Sequence, residues 1–594
     1  MMSRRTFCKT ASVGAAAASM APSVSCWKKK PQRPNVILII TDDQGYGDFG
    51  VKGNPVLKTP NLDRLAGESL EMTNYYVSPV CAPTRACLMT GRYNYRTRVI
   101  DTFLGRAMMD PEETTLAELL QNAGYATALF GKWHLGDNYP MRPQERGFEQ
   151  ALMHRGGGIG QPSDPVNGEN KYTDPVLWLN GREMQMTGYC TDIYFDQAMK
   201  WMAEAHHQGR PFFTYLAPNA PHSPYDDVPP EWYEVYRRLD LSHIQFPSIG
   251  HPLTHTVDSD RMARIYAMIA NIDWNIGRLL SWLKETQLEQ DTMVLFMNDN
   301  GPQGRRYVAG YKGMKTTIYE GGIRSPLFIR WPAELPPGRK IDRVVAHIDI
   351  LPTILQACGI PVPHTLNVDG RSFWPLLKGE SEWPDRCLVF QSHRGDRPVL
   401  YHNFAIRSQE WKLLHASDFS ADSFSGAPSF ELYDMKNDPF ELHDVAGSRP
   451  DKVEELKKAY EDWFQDVSTT RPDNFEPPRI HVGTPHENPV TLTRQDWRHE
   501  QGPLWGERSN GHWRLYAAQP GLYTFHLRFH SEGQKGLAVL AIGDRKFQQV
   551  FSSEQTEIVF NAVQLASGEL NLRGTLSMDR CEKGPWQIDV HYTR

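Results

Sequence analysis

Asp42, Asp43, Asp299 and Asn300 each follow directly on an apolar run of strand character. Two carboxylates brought to ~4 Å repel by ~4 kcal/mol at an effective dielectric of 20, so clustering them calls for a cation. An all-oxygen donor set suits Ca2+ or Mg2+ better than zinc. A solvated turn or a helix N-cap would also explain an Asp-Asp pair after a strand, so the remaining polar groups carry weight. Lys132 and His134 follow another apolar run, His222 follows a third, and Lys315 stands close behind Asp299 in sequence. Cys81 begins Cys81-Ala82-Pro83-Thr84-Arg85-Ala86-Cys87-Leu88-Met89-Thr90-Gly91-Arg92. The fixed φ of Pro83 suits the first turn of a helix, which sets Cys81 just ahead of N-terminal amides that favour an anion. In His154-Arg155-Gly156-Gly157-Gly158-Ile159-Gly160 no Gly-Lys-Ser/Thr follows the glycines, so a phosphate loop is a poor reading. The stretch reads as an active-site rim with His154 and Arg155 as candidate substrate contacts, or as a plain turn. Trp497, Trp505 and Trp513 could stack on sugar rings or fill a core.

The runs that deliver these groups, residues 35–40, 126–130, 212–217 and 292–297, are apolar and partly β-branched, as in strands buried on both faces. Helical patterns over 115–123 and 261–285 alternate with them. The expected fold is therefore α/β, a largely parallel sheet sandwiched by helices, with ligands beyond the carboxyl ends of the strands. After residue 398 the segments shorten to a hairpin over 404–415, a strand and turn over 431–438, and a helix from Asp451 with an apolar stripe from Val453 to Val467. Alternation at Tyr523, Phe525, Leu527 and Phe529 and at Ile588, Val590 and Tyr592 marks an added β-sandwich. The expected domains are a signal segment over 1–30, a catalytic domain over 31–398, a smaller α+β C-terminal subdomain over 399–470 and an accessory module over 480–594. With 594 residues, 64 basic and 70 acidic side chains and a net charge of −6, the chain carries no footprint for nucleic acid. No uncharged apolar run is long enough for a transmembrane span. Arg4-Arg5, Phe7 and the Ala-rich stretch to Ala21 resemble a bacterial twin-arginine signal, predicting export to the periplasm or beyond. Ser23-Val24-Ser25-Cys26 faintly resembles a lipid-anchoring site without the usual Leu.

The Cys-x-Pro-x-Arg core with its trailing Leu-x-Thr-Gly-Arg resembles the signature of type I sulfatases, in the alkaline phosphatase superfamily. The likeness runs from about residue 33 to 446. Asp42-Asp43-Gln44-Gly45-Tyr46-Gly47-Asp48 resembles the family's first metal motif and Asn298-Asp299-Asn300-Gly301 its second. Gly131 to Gly136 resembles its Lys/His motif, and Pro221-His222-Ser223-Pro224 its histidine loop. Lys315, ahead of Glu320-Gly321-Gly322-Ile323-Arg324, stands as the family's lysine does, and Glu431-Leu432-Tyr433-Asp434 with Asp438-Pro439 resembles the C-terminal signature. Cys87 departs from the pattern, where Ser or Ala is common.

The resemblance implies an alkaline-phosphatase-like fold and sulfate-ester hydrolysis through a sulfoenzyme intermediate. The nucleophile would be a formylglycine made from Cys81 by a formylglycine-generating enzyme. Asp42, Asp43, Asp299, Asn300 and the modified residue 81 would hold Ca2+, ahead of Mg2+. Arg85, Lys132 and Lys315 would surround the sulfate. Asp299 would assist deprotonation of the nucleophile, His222 with Lys315 would protonate the leaving alcohol, and His134 would drive elimination. Export, an acidic chain and an added sandwich suit a sulfated glycan as substrate. The alternatives are a formylglycine-dependent phosphodiester or phosphonate monoester hydrolase, and a noncatalytic glycan-binding protein.

Overall fold

The computed structural model describes residues 33–593 except 167–169, 254–257, 472, 474, 507, 532, 579 and 580. The signal segment and Cys26 lie outside the described residues. Four strands, β1 (Asn35–Thr41), β2 (Ala126–Gly131), β3 (Phe212–Ala217) and β4 (Thr292–Asn298), run parallel in the spatial order β4-β1-β3-β2 at the middle of a ten-stranded sheet. The sheet extends past β2 through Gln150–Met153, parallel, then through Val176–Leu179 and Arg182–Gln185, both antiparallel to their neighbours. Beyond β4 come Leu327–Arg330, antiparallel, then Leu70–Met72 and Lys340–Ile341.

Both faces of this sheet are covered, which is why its strands read as unbroken apolar runs. Val36, Leu38 and Ile40 share a core with Ala82, Ala86 and Leu88 of α1 (Cys81–Thr90) and with the Leu116–Asn122 and Ile350–Ala357 helices. The alternate residues Ile37 and Ile39 pack with α2 (Cys190–His207) and α3 (Ser259–Glu285). Asp258 caps α3 by accepting from Arg261 N at 3.0 Å, and Thr115 with Glu118 forms a capping box ahead of Leu116. In the β1–β4 register Thr41 lies opposite Asn298, so Asp42 and Asp299 leave the sheet side by side.

A second, antiparallel sheet comprises Leu388–Gln391, Phe404–Arg407, Trp411–His415 and Glu431–Asp434. Helix Pro450–Ser468 covers it through Leu456 and Tyr460. Its first strand precedes the boundary expected after residue 398. Leu388–Gln391 is buried throughout and reads like one more parallel strand, so pattern alone could not assign it to the smaller sheet.

Between Ile480 and Tyr592 a seven-stranded and a four-stranded sheet share one core, which includes Trp497, Trp513, Tyr523, Phe525, Leu527, Ile588 and Val590. Met108 and Met141, from the catalytic part of the chain, sit in the same core. His481 N donates to Tyr139 O at 3.0 Å, and Tyr139 N donates to Glu487 Oε2 at 2.7 Å. The module therefore does not end at its own surface.

Asp137 and Asp496 meet buried at this junction, with Arg155 opposing their mutual repulsion and Glu487 adding to it at Asp137. Burial first and the neighbouring carboxylate next push Asp496 well above the usual range, and burial raises Asp137 to about 6. A carboxyl raised above its unfolded value of ~3.9 gives stability at low pH that is lost as pH climbs towards the folded value. Asp496→Asn is therefore expected to melt above the wild type at pH 8, with the difference closing near pH 4. A shift in melting temperature that is the same at both pH values would rule this account out.

Candidate active site

Cys81 is the first residue of α1, a helix whose ten residues are all buried. Thr84 ties the first turn of that helix to the end of β4. Its Oγ1–H donates to Asp299 O at 2.7 Å, and its Oγ1 accepts from Ser78 N at 3.0 Å. One turn of helix places Arg85 beside the same residue, where Nη2 donates to Asp299 Oδ2 at 2.8 Å and Nη1 to Lys132 O at 3.1 Å. The ends of β1, β2, β3 and β4 thus deliver Asp42 and Asp43, Lys132 and His134, His222, and Asp299 and Asn300 to one place.

The charges there are matched at short range. Lys132 Nζ lies 2.7 Å from Asp42 Oδ2, and Lys315 Nζ lies 2.6 Å from Asp43 Oδ1. Asn300 Nδ2 donates to Asp43 Oδ1 at 2.8 Å. Arg306 holds the turn from below, donating Nε to Asp48 Oδ2 at 2.8 Å and Nη2 to Asp43 O at 2.6 Å. Nothing about Arg306 or Thr84 in the sequence separated them from ordinary polar residues. Asp42 Oδ1, Asp43 Oδ2 and Asn300 Oδ1 stay buried without a hydrogen-bond partner. One such orphan costs ~1–3 kcal/mol, and three oxygens left over in one cluster fit a hard cation. Donor atoms of Asp42, Cys81 and Asp299 lie within 4.8 Å of one another, as do those of Asp42, Asp43 and His222. The second group adds the imidazole of His222 to the carboxylate oxygens.

Burial, then Asp42, pushes Asp299 up to about 6, against Arg85 and Lys132. At Asp43 burial pulls the other way, yet Lys315, His222 and Lys132 hold the carboxyl below the usual range. Burial works to lower Lys315 as well, but Asp43 outweighs it and keeps the ammonium charged. Burial raises the Cys81 thiol even though Lys132 and Lys315 pull it down.

His134 Nε2 lies 2.7 Å from Thr102 O, which fixes that nitrogen as the N–H and leaves Nδ1 as a lone pair 3.4 Å from Cys81 Sγ. Burial and Lys132 hold His134 well below its ordinary pKa, so it stands as a neutral base. His222 Nδ1 lies 2.8 Å from Ser223 O, and burial lowers the ring to about 4, with Asp43 opposing and Lys315 adding to the drop. Three non-glycine residues here adopt left-handed backbone, Asp43 at φ 63°, His134 at 59° and Thr316 at 75°. Strain of this kind costs ~1–3 kcal/mol per residue and collects where function fixes the geometry.

The glycine run expected at the rim is at the site. A Cβ on Gly157 would stand 2.9 Å from His134 Nε2, and one on Gly158 would stand 2.9 Å from His222 Nδ1. Its two flanking candidates are not brought to the cavity. His154 is buried with Nδ1 3.4 Å from Tyr194 OH, and Arg155 lies over the Trp178 ring at 5.1 Å and 4.0 Å from Glu487. The backbone of the glycines occupies the rim, His154 lies buried within reach of the charges of Lys132, Arg85 and His222, and Arg155 turns to the module junction. Cys87 is buried among Tyr76, Tyr93 and Tyr95. A Cβ on Gly322 would stand 2.0 Å from Thr317 O, so the Glu320–Arg324 motif packs directly under the loop that carries Lys315. Glu320 anchors it through Lys412 at 3.0 Å and Arg324 at 2.9 Å.

A cavity of about 240 Å³ opens over this floor, lined by Cys81, His134, His222 and Lys315 and, above them, by Phe103, Arg394, Phe419 and Trp505. Of the three tryptophans singled out in the sequence, Trp497 and Trp513 are core residues 5.6 Å apart, and only Trp505 reaches the cavity.

The model of the sulfatase family matches residues 34–360, and that of the C-terminal part of N-sulphoglucosamine sulphohydrolase matches 312–468. Human arylsulfatase A is 31% identical over 478 residues, covering 72% of this chain and 86% of its own. The N-acetylglucosamine-6-O-sulfatase of Bacteroides thetaiotaomicron is 26% identical over 543 residues, covering 78% of this chain and 91% of its own. Among solved structures, Ps i-CgsB in complex with k-i-k-neocarrahexaose is 28% identical with a TM-score of 0.62, covering 75% of this chain and 95% of its own. A family model spanning more than half of the chain and the likeness to arylsulfatase A, on top of the geometry around Cys81, lead to one conclusion: the chain belongs to the sulfatase family.

Proposed function

We propose that this sulfatase hydrolyses sulfate esters of carbohydrates, with residue 81 acting as a formylglycine and Asp42, Asp43, Asp299 and Asn300 holding Ca2+. The observation that carries the reading is the His134 pair of contacts, one nitrogen tied to Thr102 O at 2.7 Å and the other free 3.4 Å from Cys81 Sγ. A base held in that tautomer suits taking a proton from residue 81. The hydrated aldehyde supplies one hydroxyl for attack on sulfur and a second for release of sulfate. A cation held by Asp42, Asp43, Asp299 and Asn300 would supply positive charge for the sulfate and a lowered pKa for the attacking hydroxyl. Arg85, Lys132 and Lys315 orient the sulfate, and Asp299, whose carboxylate lies with that of Asp42 and the Cys81 side chain in one cluster, accepts the proton of the attacking hydroxyl. Lys315, kept charged by Asp43 against burial, and His222, whose Nε2 lies 3.8 Å from the other oxygen of the same carboxylate, together protonate the leaving alcohol.

The carbohydrate substrate is supported by the names of the relatives and by the resemblance of the first residues to a twin-arginine signal. Twin-arginine export to the periplasm or beyond and maturation by a formylglycine-generating enzyme complete the proposal. Among the described residues no helix is long and apolar enough to cross a membrane.

Three measurements test this reading. In protein matured with a formylglycine-generating enzyme, the peptide containing residue 81 should be lighter than its cysteine form and reactive to aldehyde probes, and Cys81→Ala should lack turnover. Fully active protein with an intact thiol at 81 would sink the mechanism. Chelation should abolish activity, with Ca2+ restoring it better than Mg2+, whereas stoichiometric zinc and no alkaline-earth metal would overturn the cation assignment. His222→Ala should lower kcat/KM on an unactivated sugar sulfate by roughly 10²- to 10⁴-fold and on an activated aryl sulfate far less. An equal loss on both would remove His222 from proton delivery, and a preference for phosphodiesters over sulfates would replace the substrate class.

A further inference from the structure

We infer that Trp505, supplied by the C-terminal β-module, is a specificity-determining residue that forms one wall of the site for the sugar ring bearing the sulfate. The inference rests on the sulfate-ester reading above and adds to it a part of the chain that reading does not use.

Trp505 lines the cavity over Cys81, half-buried, while Trp497 and Trp513 of the same module are fully buried in its core. Its backbone is left-handed at φ 56°, an outlier for a bulky residue that packing elsewhere must over-determine. Two contacts hold the ring. Nε1–H donates to Arg494 O at 3.2 Å, and Phe103 meets it edge to face at 5.1 Å. Facing the same space, the Arg394 guanidinium is clamped 4.2 Å over Phe103 and 5.0 Å over Phe419, and it donates to Thr102 Oγ1 at 3.1 Å. Gln161 and Gln303 add amides to the lining. A flat aromatic face beside fixed guanidinium and amide groups is what a pyranose needs, since it presents C–H faces to one and hydroxyls to the other. About 240 Å³ leaves room for a sulfate and one ring, below the ~300–1,000 Å³ common for ligand pockets.

The module is also fastened to the site floor. Gln495 Nε2 donates at 2.9 Å to Thr102 O, the carbonyl that fixes the His134 tautomer, and Gly105 N donates to Gln495 O at 3.3 Å. The loop over 101–106 that carries Phe103 is thus held by the module that carries Trp505, so the two aromatic groups are set relative to each other.

The test uses the full matured chain, a defined sulfated monosaccharide and a small aryl sulfate. Trp505→Ala should raise KM for the saccharide about tenfold or more with kcat changed far less. Trp505→Phe should restore most of the affinity, and Trp505→Leu, which keeps apolar volume without a flat face, should not. Circular dichroism and melting identify any variant that fails to fold, and the Phe and Leu pair then carries the comparison. Saccharide KM unchanged in Trp505→Leu, or kcat falling as much as affinity, overturns the sugar wall while leaving the sulfatase reading intact, provided the wild type turns over aryl sulfate. A wild type that hydrolyses no sulfate ester overturns both.

Discussion

Three carboxylates without solvent access, Asp42, Asp43 and Asp299, share the ends of two adjacent parallel strands, and much of the surrounding structure answers that charge. At ~4 Å each pair repels by ~4 kcal/mol even at an effective dielectric of 20. Lys132, Lys315 and Arg85 each take one carboxylate at 2.6 to 2.8 Å. Three oxygens are still left over, so these cations do not complete the cluster. On the proposed reading the same three side chains would also face the sulfate, with their positive charge positioned by the carboxylates that hold them.

Positioning continues outward through carbonyls. Thr102 O accepts from His134 on the catalytic side and from Gln495 on the module side. A change in how the β-module docks is thus felt one hydrogen bond away from the base beside Cys81. Met108 and Met141 within the module's core make the same connection in apolar terms. The module is better regarded as part of the site's wall than as an appendage.

The strand ends were legible because burial on both faces leaves an unbroken apolar run, and a polar cluster straight after it has only the sheet's edge to occupy. Asp42, Asp43, Lys132, His134, His222, Asp299 and Asn300 stood out that way, whereas Cys81 and Arg85 stood out through the resemblance of the Cys-x-Pro-x-Arg stretch to the sulfatase signature. Legibility stopped where one local pattern serves two purposes. Leu388–Gln391 has the apolar character of a parallel strand yet pairs antiparallel with Phe404–Arg407. His154 and Arg155 border the right loop, but the close approach of Gly157 and Gly158 to the imidazoles excludes large side chains only at the glycines themselves. Trp497, Trp505 and Trp513 look equivalent in sequence because nothing local records which of them lies outside the sandwich core.

Burial and ionisation also bear on the proposed conversion of residue 81. A nucleophilic thiol must ionise, and desolvation at 2% exposure raises the Cys81 thiol despite two nearby lysines. The position is thus poor for a thiolate although it sits at a helix N-terminus among cations. An aldehyde hydrate would place two hydroxyls on one carbon, one to attack and one to expel sulfate, which a single thiol does not offer. The proposed conversion of Cys81 would set such a hydroxyl beside the neutral His134, whose Nδ1 lone pair lies 3.4 Å from Sγ.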